Sequence, residues 1–175
     1  MPDKQLTLFS ETVLQLMNEG KLQVMKDYIQ HGSITTLDHS LMVAYYSWRL
    51  NQRLGLKADE SSLIRGALLH DYFLYDWHVA EKWHRFHGFR HPAFALKNAR
   101  QDYQLNEIEE EIIKKHMWPL TIIPPTCREA WIVNAMDTFS SVVEVMMEYR
   151  LFSVLKRKWY ERLDETVFKD FKKIH

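Results

Sequence analysis

Four short polar clusters punctuate this sequence, and each opens a stretch in which apolar residues return every third or fourth position. They are Thr35 to Asp38, Asp59 to Ser62, Asn106 to Glu109 and Thr126 to Glu129. A side-chain oxygen at the first position of such a cluster can accept from the free N–H groups of a helix start, and an acid three residues on can return the favour. Strict apolar-polar alternation, the mark of a half-buried strand, is almost missing. The chain has only 5 Gly and 5 Pro, too few for a turn-rich β architecture. An all-α fold is therefore expected. At 175 residues and 46% hydrophobic it is one domain's worth, with an ample core.

The expected helices follow from the spacing. Leu6, Phe9, Val13, Leu16 and Met17 mark one over residues 5 to 19, with Gly20 at its C-terminal end. A short one runs through Leu22, Met25 and Ile29 and stops at His31-Gly32. The next begins after Thr35 and passes Leu41, Val43, Tyr46 and Leu50 to Gly55. Leu63, Ile64, Ala67 and Leu68 form the apolar face of a helix that ends on His70-Asp71. His91-Pro92 marks a further start, with proline at the first helical position and Ala93, Leu96, Ala99 and Tyr103 behind it. Ile108, Ile112 and Ile113 lead to His116, and Glu107, Glu109, Glu110 and Glu111 read as a solvated, dipole-complementing first turn. In the longest helix Trp131, Ile132, Met136, Phe139, Val142 and Met146 cover more than one stripe, so it should be central and touched on several sides. Tyr72 to Arg90 is dense in aromatics and histidines and reads as a lid or wall. Residues 151 to 175 read as one or two amphipathic helices, with Lys156-Arg157-Lys158 and Lys172-Lys173 on a solvated face.

Several function classes fall away on composition. The formal net charge is +0, so no global field draws in nucleic acid or an acidic membrane, and neither is expected as a partner. The one cysteine, Cys127, reads as a small apolar helix residue and fits a reducing compartment. No stretch approaches the roughly 18 apolar residues of a membrane span, and the N-terminus opens no long apolar run. A cytoplasmic protein is expected, and a homodimer is left open.

Chemistry concentrates at Leu68-Leu69-His70-Asp71, where an apolar helix ends on an imidazole beside a carboxylate. Alone, the pair is accounted for by a histidine at a helix C-terminus and an aspartate opening a turn. It does not stand alone. His39 lies in the first turn of an earlier helix, His91 at a helix start, His116 near a helix end, and Asp137 in the middle of an apolar set where a lone carboxylate would be costly. Imidazole and carboxylate together suit Fe, Mn, Zn, Co or Ni better than Mg or Ca. A carboxylate shared by two ions about 3.5 to 4 Å apart can hold a bridging hydroxide, a nucleophile at neutral pH. Arg90, beside His91, is a candidate for gripping phosphate, with a surface ion pair as the alternative. Tyr72, Trp77, Trp83 and Trp118 could line a cleft over a base or sugar, or belong to the core. His78, His84 and His87 read as supporting groups and not ligands.

The ordered set His39, His70-Asp71, His91, His116, Asp137 resembles the HD-domain superfamily of metal-dependent phosphohydrolases, over roughly Leu37 to Val145. The resemblance implies a single-domain helical bundle with a central metal cleft and flanking helices at both ends of the chain. It implies that His39, His70, Asp71 and Asp137 hold one divalent transition metal, and that Asp71 bridges to a second held by His91 and His116. Hydrolysis of a small phosphorylated metabolite or nucleotide through the bridging hydroxide is expected, with Asp71 as the catalytic residue the resemblance implies and Arg90 as the catalytic candidate from its place beside His91. Two departures stand out. Leu74 occupies the place where some subgroups carry a catalytic acid or lysine, and Thr138 follows Asp137 where Lys or Arg is common. Members with the same six-residue order also resemble diiron oxygenases, and a metal-binding module without catalysis is a third reading.

Overall fold

The computed structural model describes residues 4 to 32, 34 to 76 and 87 to 148. Helix α1 (Lys4–Glu19) leads to a 3-10 turn (Leu22–Asp27) and a two-stranded antiparallel ribbon, β1 (Ile29–His31) and β2 (Ile34–Thr35). Then follow α2 (Thr36–Leu54), α3 (Glu60–Leu69), α4 (His87–Asp102), α5 (Glu107–Lys115) and α6 (Arg128–Glu148). The fold is all-α, and the ribbon is the only sheet among the described residues. The expected helices over residues 151 to 175 lie outside those residues, as do Trp77, His78, Trp83 and His84.

Three of the four polar clusters cap the helices they open. Thr35 accepts from the Asp38 N–H while Asp38 accepts from the Thr35 N–H, a reciprocal box. Asn106 and Glu109 repeat it on α5, and Asp59 accepts from the Ser62 N–H on α3. At the far end of α2, Gly55 sits at φ 59° and sends its N–H to the Asn51 carbonyl, a left-handed C-terminal cap that suits glycine.

The fourth cluster does something else. Thr126 gives its hydroxyl and N–H, and Cys127 its N–H, to the Glu111 carboxylate on α5. Glu129 accepts instead from the Asp59 N–H, 2.8 Å away at the start of α3. The start of α6 is thus tied to two neighbouring helices and not to itself. Glu107 is exposed in the first turn as expected, but the other glutamates of α5 are structural: Glu109 is buried and also accepts from Arg65 at 2.7 Å, and Glu110 pairs with Arg100. A carboxylate run is read as solvated from sequence because its partners lie 10 to 44 residues away.

Three further expectations are corrected. Ile29 does not continue a helix but stands in β1, 38% exposed, because the chain turns back at Gly32 (φ 57°) to pair with β2. α4 begins a turn before His91, so Pro92 is interior and withholds the N–H that would reach the Gly88 carbonyl. α6 is one-sided among the described residues. Ala130, Val133, Asn134, Asp137, Ser140 and Glu144 are buried at helical spacing, while Trp131, Phe139, Val142, Val145 and Met146 are exposed.

The core is continuous from Phe9, Val13 and Leu16 of α1 through Leu41 and Trp48 of α2 and Leu63, Ile64 and Leu68 of α3 to Ile112 and Ile113 of α5. α3 and α5 approach closely at Gly66, where an added Cβ would meet the Ile112 Cδ1 at 2.4 Å. Both helices end at the same level of the bundle, and each delivers a histidine there. Among the described residues no helix is long and apolar enough to cross a membrane.

Candidate metal centre

α3 and α5 stop in the same way. The C-terminal residue of each is a histidine in right-handed helical backbone, His70 and His116, whose Nδ1 lies 2.7 Å from the Ala67 carbonyl and 2.8 Å from the Ile113 carbonyl. Such a ring satisfies an orphan carbonyl of the last turn. A carbonyl can only accept, so the proton sits on Nδ1 and the Nε2 lone pair is turned away from the helix. The cap and the ligand are therefore one arrangement and not competing explanations of the same residue.

The other side chains reach the same place from different directions. His39 comes from the first turn of α2, His91 from within α4, Asp71 from the turn after α3 and Asp137 from the middle of α6. All six are buried. Asp71 stands between two groups of histidines. Its Oδ2 is 3.5 Å from His70 Nε2 and 3.9 Å from His39 Nε2, and its Oδ1 is 3.1 Å from His91 Nε2 and 3.5 Å from His116 Nε2. Asp137 Oδ1 closes the first group, 3.1 Å from His39 Nε2 and 3.7 Å from His70 Nε2. In the second group the two Nε2 atoms of His91 and His116 are 2.8 Å apart.

These separations fit a divalent ion. Two donors each about 2.0 to 2.2 Å from one ion lie about 3 to 3.5 Å from each other. Three overlapping triads have donors within 4.8 Å: His39, His70 and Asp71; His70, His116 and Asp137; and Asp71, His91 and His116. His70 Nε2 and Asp71 Oδ1 are fully buried without a hydrogen-bond partner in protein, a costly state that coordination would relieve. Electrostatics agree. Burial alone would raise the Asp71 carboxyl, but His70 and His91 beside it hold it well below the usual carboxylate range. Asp137 is likewise lowered against its burial by His39 and His70. Both carboxylates are ionised in the buried cluster and ready for a cation.

Four residues near this cluster lie outside the expected ligand set. Gln30, brought in by β1, donates from Nε2 to Asp71 Oδ2 at 2.7 Å. Phe73 packs edge-on to His91, with ring centroids 5.8 Å apart. Tyr75 lies within electrostatic reach of both Asp71 and Arg90, and burial together with Asp71 pushes its phenol up to about 12, so it stays protonated. Glu144, seven residues after Asp137, meets His39 Nδ1 at 2.8 Å. Its spacing on α6 was the one available clue, two turns on the same face as Asp137.

Of the expected cleft walls, Tyr72 is core. It is fully buried and donates to Asp102 at 2.9 Å, so it cannot stack on a ligand. Trp118 packs edge-on against Trp131, 4.9 Å between centroids. Arg90 is exposed, with its guanidinium over the Phe94 ring. Leu74 stands in left-handed backbone (φ 55°) and packs on the core, so its position offers neither acid nor amine.

An all-α bundle whose helix ends and faces gather four imidazoles and two carboxylates defines a class of metal-binding helical domains. Residues 36 to 141, more than half of the chain, match the HD domain family, and the chain belongs to it. It is 27% identical over 90 residues to a Bacillus subtilis (strain 168) protein whose name reads "Putative phosphohydrolase YueE", a match covering 51% of this chain and 48% of that one. The chain thus spans about half the length of that curated relative. No solved structure matches the chain.

Proposed function

We propose that this protein is a metal-dependent phosphohydrolase acting on a small phosphorylated metabolite or nucleotide. One observation carries the reading: the two oxygens of Asp71 face separate histidine groups, Oδ2 toward His39 and His70 and Oδ1 toward His91 and His116. A carboxylate so placed can serve two ions at once. HD domains bind divalent metals, and the relative's name points to the same reaction class. Bound there, Fe, Mn, Zn, Co or Ni would supply Lewis acidity, lowering the pKa of water and neutralising charge on a phosphoryl group.

The chain's own residues do the rest. His70 and His116 present Nε2 because their Nδ1 atoms are fixed on backbone carbonyls. Gln30 holds the Asp71 carboxylate by an amide hydrogen bond. Arg90, one residue before His91, offers a planar fork suited to two phosphate oxygens. The protonated Tyr75 is a hydrogen-bond donor close to the same carboxylate.

The test is phosphate or nucleoside release from a panel of phosphoesters, using chelator-treated protein reconstituted with Mn or Fe and Asp71→Ala as control. Activity in wild type that chelation and the control both remove is the expected result. Equal inactivity across the panel would reject hydrolysis. A second reading is a diiron oxygenase, a reaction class that shares the same six-residue order, and Leu74 supplies no acid or base that would mark a hydrolase subgroup. Oxygen consumption by the reduced iron form with a polyol or a phosphonate would select it.

A further inference from the structure

We propose that Glu144 is a positioning residue that acts through His39: it accepts a hydrogen bond from the Nδ1–H, turns the Nε2 lone pair into the cluster, and so fixes how tightly the His39 side binds a divalent ion. The inference rests on the metal-binding part of the reading above. His39 is fully buried between two residues of one helix face, with Nδ1 2.8 Å from Glu144 Oε1 and Nε2 3.1 Å from Asp137 Oδ1. Glu144 is also fully buried, and its other oxygen, Oε2, has no hydrogen-bond partner. A buried, half-satisfied carboxylate is destabilising unless something compensates it. Packing does not require it, since an apolar side chain of similar volume would fill the same space.

Glu144 lies on the Nδ1 side of the ring, away from the cluster, and belongs to none of the donor triads. It also falls past residue 141, where the match to the family ends. The chemistry of a charged backing group differs from that at His70 and His116, whose Nδ1 atoms meet neutral carbonyls. A carboxylate acceptor forms the stronger, charge-assisted bond and raises the basicity of the opposite nitrogen. It also adds a negative charge behind the ion that His39 would hold.

The test is a cobalt(II) titration of the chelator-treated full chain, wild type against Glu144→Gln, with His39→Ala and His91→Ala marking which binding step belongs to which side. The glutamine keeps the volume and one acceptor and removes the charge. Glu144→Gln should weaken the step lost in His39→Ala by about 10- to 100-fold and leave the step lost in His91→Ala at its wild-type constant. Equal affinity in the variant, or equal weakening of both steps, overturns the proposal, since a packing role would not select one side. A second measurement needs no variant: long-range proton–nitrogen NMR of the zinc-loaded wild type should find His39 protonated on Nδ1 and zinc-shifted on Nε2. The reverse tautomer overturns it. If wild type binds no cobalt at all, the metal-binding reading itself fails, and that result is distinct from tight binding by wild type and variant alike.

Discussion

On the His39 side of Asp71 an imidazole is clamped between two carboxylates of one helix, whereas on the far side two histidines from different helices meet each other at 2.8 Å and His116 is backed by a backbone carbonyl. The first arrangement gathers Asp71, Asp137 and Glu144 around one ring and His70; in the second the carboxylate in ion-pair contact with both histidines is the shared Asp71, and Asp137 stands farther off, with a donor within 4.8 Å of one on His116. Coulomb attraction for a dication grows with each added carboxylate and is little screened in a buried site. The His39 side should therefore be the tighter one. The cluster is therefore expected to behave as two sides of unequal strength joined by the Asp71 carboxylate.

The largest effect is expected at the joint. Asp71→Ala removes both oxygens that face the two sides, and the protein should lose all bound metal, measured by elemental analysis after gel filtration without added metal. One equivalent surviving at wild-type affinity would show that Asp71 is not shared between the two sides. Next come the single-sided changes. His91→Ala and His116→Ala should lose the weaker ion and keep the stronger, whereas His39→Ala and Asp137→Ala should lose the stronger. A ligand at 100 times its dissociation constant stabilises the folded state by about 2.7 kcal/mol. His91→Ala should therefore retain most of the thermal shift given by metal, and His39→Ala should lose most of it. The opposite order would reverse the ranking of the two sides.

A gentler perturbation acts on the scaffold between them. Gly66→Ala places a Cβ 2.4 Å from Ile112 Cδ1 and 3.1 Å from Ile112 Cβ, at the crossing that sets how far apart α3 and α5 end. Overpacking of this kind costs about 1 to 3 kcal/mol. Metal affinity should fall on both sides, because His70 and His116 ride on those two helix ends. Loss on one side alone would mean that only one helix sets the geometry.

Much of this was legible in the sequence, and the failures have a common cause. The helix starts at Thr35, Asp59 and Asn106, the left-handed Gly55 and the six-residue cluster all depend on patterns local in sequence or on one ordered motif. The ribbon that delivers Gln30, the reassignment of Thr126 and Glu129, the burial of Glu109 and the role of Glu144 depend on partners far along the chain. Thr126 satisfies every local rule for a cap, yet Glu111 outcompetes its own helix because a full carboxylate accepts its N–H and hydroxyl together. Helix α6 misled for a related reason. Its apolar residues cover more than one stripe, but the polar residues Asn134, Asp137 and Glu144 mark the buried face, and much of the apolar set is exposed.

The smallest predicted effect concerns Glu111, which ties α5, the helix that ends on His116, to the start of α6, the helix that carries Asp137. Burial would raise its carboxyl, but the Thr126 hydroxyl, the Thr126 and Cys127 N–H groups and Lys115 pull it down to about 2. A carboxyl with a lowered folded-state pKa contributes stability that is fully present above the unfolded value of about 4.3 and is lost as pH falls toward the folded one. Glu111→Gln keeps one acceptor and loses the charge, so near neutral pH the variant should be less stable by about 1 kcal/mol, the scale of a single cap. That difference should stay constant between about pH 5 and 8 and shrink between about pH 4.3 and 2. Comparing melting temperatures of chelated wild type and variant across this range cancels the other carboxylates, which titrate in both. A difference that persists unchanged to pH 2 would mean the carboxylate charge is not what holds the loop. Metal stoichiometry should not change, because Glu111 touches neither side of the cluster; a selective loss on the His116 side would instead show that the weaker half owes its geometry to this tether.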